Sequence, residues 1–140
     1  MNERLLWIRA SASLAFLVCS VVEATEPSGF FGCDGSTIEL SNCLSELRQE
    51  ADKELNATYQ SLIRLVRHHG EDWVQDLRAA QRKWIEYRDL NCEFYSNYLK
   101  GGTGAGPLSG ACQVRMTRER AAELQEKRQE LIRRGYQESQ

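Results

Sequence analysis

His68, His69, Glu71 and Asp72 form the one cluster in the chain whose residue types suggest a metal. Adjacent side chains on a helix point in different directions, so a joint site would need distortion. No metal centre is therefore expected, and no cofactor is implied. These two histidines are the chain's only imidazoles, which leaves few general-base candidates. No Ser/His/Asp arrangement is present. No carboxylate sits in an obviously apolar setting that would raise its pKa. The Gly-rich run from Gly101 to Gly110 is not a phosphate loop: no strand precedes it and the Gly-Lys-Ser/Thr ending is missing. The reading is a chain that does not catalyse.

Cysteines are the more informative residues. Cys19 lies in a leader: Arg4 and Arg9 flank the start, and Ala10 to Val22 is an apolar core too short for a comfortable membrane span. Val22-Glu23-Ala24 resembles a small-residue cleavage site, with cutting after Ala24 and Ser20 as second choice. Lipid attachment at Cys19 needs a small residue before it, and Val18 stands there instead. Residues 1–24 are read as a signal peptide, which places the mature chain in the periplasm or outside the cell. Cys33, Cys43, Cys92 and Cys112 remain. An even count in a small exported chain predicts two disulfides. No pair has close zinc-ligand spacing, and thiols held in disulfides are not nucleophiles.

These residues need elements to position them. The 140-residue chain carries a net charge of −2, mixes both signs and has two prolines. No basic block exists to neutralise phosphates, so nucleic acid is not an expected partner. Strand-like alternation is almost absent, which favours an all-α fold. Residues 25–36 form a linker with Phe30-Phe31 as its apolar anchor. Ser36 and Glu39 fit a capping box. Leu40, Leu44, Leu47, Ala51, Leu55, Tyr59, Leu62 and Val66 then recur every three or four residues, to a stop at Gly70. The second helix runs from Glu71 to about Leu99. Trp73, Leu77, Gln81, Trp84, Arg88, Cys92, Tyr95 and Tyr98 form its stripe, the bulkiest in the chain, so it is read as the middle helix. The third runs from about Ala111 to Arg134, with a thinner stripe at Val114, Thr117, Ala121, Leu124 and Leu131.

The expectation is a small antiparallel three-helix bundle over residues 37–134, stapled by two disulfides, with 135–140 as a frayed tail. The short turn at Gly70 makes the first two helices a hairpin. All four cysteines then fall near the opposite end. The simplest pairing is local, Cys33–Cys43 and Cys92–Cys112; the crossed alternative is Cys43–Cys92 with Cys33–Cys112. Gly101 to Gly110 reads as a connector, or as a tethered binding loop. Arg88 and Arg120 read as buried cations that snorkel or pair with Gln81, Glu39 or Glu46; the other reading is a guanidinium offered to an acidic partner.

Four pieces together carry a resemblance: Thr37-x-x-Leu40-x-x-Cys43; Leu55-Asn56-x-x-Tyr59; Gln81-x-x-Trp84-x-x-x-Arg88-x-x-x-Cys92; and Cys112 followed by Thr117-x-x-Arg120-x-x-x-Leu124. The ordered set resembles the LprI-type lysozyme inhibitor family. The resemblance implies an exported, disulfide-bonded helical domain that binds a protein partner, a lysozyme, and blocks it sterically. Tyr59, Gln81, Trp84, Arg88 and Arg120 are its structural motif residues. Gly102, Thr103, Gly104 and Ser109 are the expected contacts, because a loop can enter the carboxylate-lined cleft of a lysozyme. The alternative is an envelope interaction or immunity module with another protein partner.

Overall fold

A computed structural model describes residues 30–100 and 102–137. The leader, Cys19 and most of the linker lie outside the described residues. Three helices follow in order: α1 Thr37–Arg67, α2 Glu71–Tyr98 and α3 Ala105–Arg133. No helix among the described residues is long and apolar enough to cross a membrane.

The chain enters through a tight turn. The Cys33 N–H donates to the Phe30 carbonyl at 3.0 Å. Phe31 and Gly32 between them have φ of 58° and 82°, the left-handed pair of a primed turn. α1 then starts on the expected capping box. Glu39 N–H donates to Ser36 Oγ, and the Ser36 N–H donates to Glu39 Oε2 at 2.8 Å. Gly35, at φ 106°, must be glycine twice over: a Cβ there would also stand 2.7 Å from that same Oε2,.

α1 closes on His68, and the His69 N–H donates back to the Val66 carbonyl at 2.9 Å. Gly70 is not the left-handed stop the sequence suggested. Its φ and ψ of 134° and 151° make it an extended, glycine-only link that opens α2,. α3 ends on a Schellman motif: Gly135 (φ 94°) donates to Ile132 and Tyr136 to Leu131,. The Tyr136 ring then packs on His69 and Trp73, with centroids 4.3 and 5.7 Å away. Residues read as the start of a frayed tail are thus held to the hairpin turn, while 138–140 lie outside the described residues.

α3, not α2, is the middle helix. It packs most extensively on α1 and less on α2, and the hairpin neighbours α1 and α2 touch least. The reason is side-chain size. α3 meets its neighbours through small buried residues, Thr117 and Ala121 among them, and at Gly110 there is room for a Cβ in ordinary contact with Leu44. Small residues carry little hydropathy but allow close approach. The main core lies toward the Gly70 end: Leu55, Leu62, Ile63, Leu65 and Val66 of α1 enclose Val74, Ala121 and Leu124. A smaller cluster of Cys92, Cys112 and Met116 lies toward the other end. Trp84 packs against both.

Candidate functional site

Both disulfides are local. Cys33–Cys43, with Cα atoms 5.9 Å apart, clamps the entry turn to α1. Cys92–Cys112, at 5.5 Å, staples α2 to α3. Ring closures of 10 and 20 residues constrain the unfolded chain by roughly 3 kcal/mol each in the chain-entropy model. Both fall at the end remote from Gly70.

Between this end and the main core lies a polar network that joins all three helices. Trp84 is flanked by two guanidinium groups, Arg88 Cζ at 5.4 Å and Arg120 Cζ at 5.8 Å from the ring,. Arg88 Nη1 donates to Asp52 Oδ1 of α1 and to Thr117 Oγ1 of α3, each at 3.1 Å. Its Nε donates to Asp89 at 2.9 Å. Arg120 Nε donates to Gln81 Oε1 at 3.2 Å and its Nη1 to Glu123 at 2.6 Å. Lys127 closes the chain on Glu123 at 2.8 Å. That hydrogen bond, joined by the Arg120 guanidinium and opposed by burial, holds the Glu123 carboxyl below the usual carboxylate range. Thr117, Gln81 and Arg120 are buried, and each has a partner. Such a network fixes how helices pack; it offers no unsatisfied group to a substrate. Glu39 and Glu46 take no part: Glu39 is committed to the cap, and Asp52 is the carboxylate that reaches Arg88. Tyr59 packs on the main core beside this network.

The loop is shorter than its sequence suggests. Gly102 donates to Leu99 at 2.7 Å and Ala105 to Gly102 at 3.1 Å, and the helical ladder begins with Leu108 to Gly104 at 3.0 Å. Pro107 sits in the first turn of α3, where its missing N–H is no loss. The chain therefore turns within Leu99–Gly104. Gly102, Thr103 and Gly104 are exposed at that turn. Ser109 is not with them: it is a half-buried helical residue facing Ser41, Leu44 and Arg48 across a groove.

The suspected metal cluster comes apart. His69 is taken up by Trp73 and Tyr136, and Glu71 accepts from Gln75 and Arg78. Among the described residues no group of three or more His, Cys, Asp or Glu is arranged to hold a metal.

One surface was missed by sequence reasoning. Tyr98, assigned to the core stripe of α2, faces solvent. With Tyr87, Leu90 and Phe94 it forms a second stripe at spacings of three, four and four residues, 59, 69, 63 and 76% exposed in chain order. Phe94 stacks on Tyr98 with centroids 6.4 Å apart, and Tyr95 meets Phe94 edge-on at 5.8 Å. The signal was legible as a second apolar repeat on the same helix, masked by the bulkier first one.

Comparison with known proteins places this geometry. The family model described as "Lysozyme inhibitor LprI" matches residues 33–124. That span holds all four paired cysteines and the whole Asp52–Arg88–Trp84–Arg120 network. An uncharacterised protein, R02472, of Rhizobium meliloti (strain 1021) is 30% identical over 129 residues, covering 84% of this chain and 93% of that one. No solved structure matches. With two-thirds of its length inside the family match and the motif residues assembled in one bundle, the chain belongs to the LprI lysozyme inhibitor family.

Proposed function

We propose that this protein acts outside the cytoplasm, in the periplasm or after secretion, as a binding protein that blocks a peptidoglycan-cleaving lysozyme sterically. The observation that carries the reading is the family match across residues 33–124. The fold supports it. Two disulfides suit an oxidising compartment. The polar network is internally satisfied, as suits a scaffold rather than a reacting centre. The exposed turn Gly102-Thr103-Gly104 stands at the stapled end, where Cys92–Cys112 lowers the entropy lost when the turn is gripped. On this reading the turn reaches the carboxylate-lined cleft of the enzyme, and Ser109 supports it from the first turns of α3.

Peptidoglycan hydrolysis by lysozymes of several types tests this. The oxidised protein is expected to slow at least one of them at micromolar concentration. No slowing of any type would refute the proposal. Recovery of a different protein from periplasmic extract would then favour an immunity or envelope interaction role.

A further inference from the structure

We infer that the outward stripe of α2, Tyr87, Leu90, Phe94 and Tyr98, is the surface on which a cationic peptidoglycan-cleaving enzyme docks. This rests on the inhibitor reading and says where the inhibitor grips. Four large apolar side chains in one line, each more than half exposed, are more than scattered surface residues, and contiguous patches of this kind mark interaction sites. Tyrosine and phenylalanine supply contact area at low conformational cost, and these rings are already ordered against one another. The backbone beneath them is fixed as well, since Cys92 lies within the run, fully buried and bonded to Cys112.

Charge selects the partner. Between Trp84 and Leu99 the charged residues are Glu86, Arg88, Asp89 and Glu93. Arg88 is turned inward, its side chain 13% exposed against Asp52. The charged groups of α2 that edge the stripe from Tyr87 to Tyr98 are therefore acids, while Lys83 before it and Arg115 of α3, which shares a groove with Tyr87, are each engaged by a carboxylate, Glu86 and Glu119. Glu86 is shared with Lys83 and Asp89 with Arg88, while Glu93, beside Phe94, has no partner among the described residues. An apolar line with an acidic edge fits an apolar surface with a basic edge. An enzyme that handles anionic cell-wall polymer carries basic charge on its substrate-facing side, and a protein seated there occludes the cleft. The stripe ends at Tyr98, at the same end of α2 as the exposed Gly102-Thr103-Gly104 turn.

The test uses the full chain, exported and purified oxidised, with a basic c-type lysozyme as probe. Binding is measured by calorimetry and inhibition by hydrolysis rate. The triple variant Leu90→Ser, Phe94→Ala, Tyr98→Ala should keep its helical circular dichroism, because these side chains are exposed. It should bind on the order of 100-fold more weakly. Acetylating the enzyme's lysines should weaken binding of the parent on the order of tenfold. Parent-like affinity of the triple variant, alongside an inhibiting parent, overturns the stripe and leaves the inhibitor reading standing. A parent that binds no lysozyme overturns both. Sedimentation showing a parent dimer that Phe94→Asp splits would mean a second copy covers the stripe, and also overturns the assignment.

Discussion

The two ends of this bundle are built from different materials. At the Gly70 end, Leu62, Ile63, Leu65, Val66, Val74 and Leu124 are packed to 4% exposure or less, and His69, Trp73 and Tyr136 clasp the turn to the end of α3. At the other end Leu44 and Val114 are buried beside a small cluster of Cys92, Cys112 and Met116, and covalent bonds and paired charges add to the holding. The difference is instructive. Where many large side chains can be buried, the hydrophobic effect suffices. Where a helix end leaves Leu90, Phe94 and Tyr98 exposed beside a Gly-rich turn, less apolar surface is left to bury, and disulfides reinforce the geometry.

The contrast can be broken in a graded way. Removing both disulfides, by Cys→Ser at all four positions, should lower unfolding free energy by roughly 6 kcal/mol, twice the single-loop value; chemical denaturation reads this. Hydrogen exchange on the same variant should show protection lost first around Cys33–Cys43 and the start of α3. A cavity at the other end is expected to come next. Leu124→Ala, at a site with no exposure, should cost about 3–5 kcal/mol, and exchange should then rise across the Gly70 end while both disulfides persist. The network between the ends should follow. Thr117→Val leaves Arg88 one acceptor short and should cost about 1–3 kcal/mol, read as a shift in denaturation midpoint.

Acid gives a smaller and slower change. Glu39, held low by hydrogen bonds from the Ser36 backbone and side chain, and Glu123 are both more acidic folded than free. Their contribution is present above the ordinary glutamate value and is lost as pH falls through the depressed one. Stability should therefore decline below about pH 4.3, and Glu123→Gln should flatten that decline. The smallest expected effect is favourable. Gly110→Ala lies within a helix, with only ordinary contact to Leu44, and should raise stability by about 0.5–1 kcal/mol.

Much of this was legible in the residues. Ser36 and Glu39 fix the start of α1 because capping is local chemistry. The cysteine positions, folded through one short turn, favoured the local pairing over the crossed one. Four features went unread in the sequence, each for a physical reason. The start of α3 was hidden because Pro107 and the glycines around it read as loop, although proline is accepted in a first helical turn. The centrality of α3 was hidden because Thr117 and Ala121 are buried while carrying little hydropathy. The outward stripe was obscured because Tyr98 was joined to the core repeat of α2, whereas the half-buried position near that end is Leu99. The partner of Arg88 was missed because a bond across 36 residues depends on how helices face one another, not on spacing within either.

The central claim is that the stapled end is a rigid gripping surface. Its most direct test is hydrolysis of peptidoglycan by a basic c-type lysozyme, titrated with the oxidised parent and with Cys92→Ser/Cys112→Ser. The account predicts inhibition by the parent, and inhibition at least several-fold weaker by the variant even where its helical content is retained. Equal inhibition by the two would contradict it.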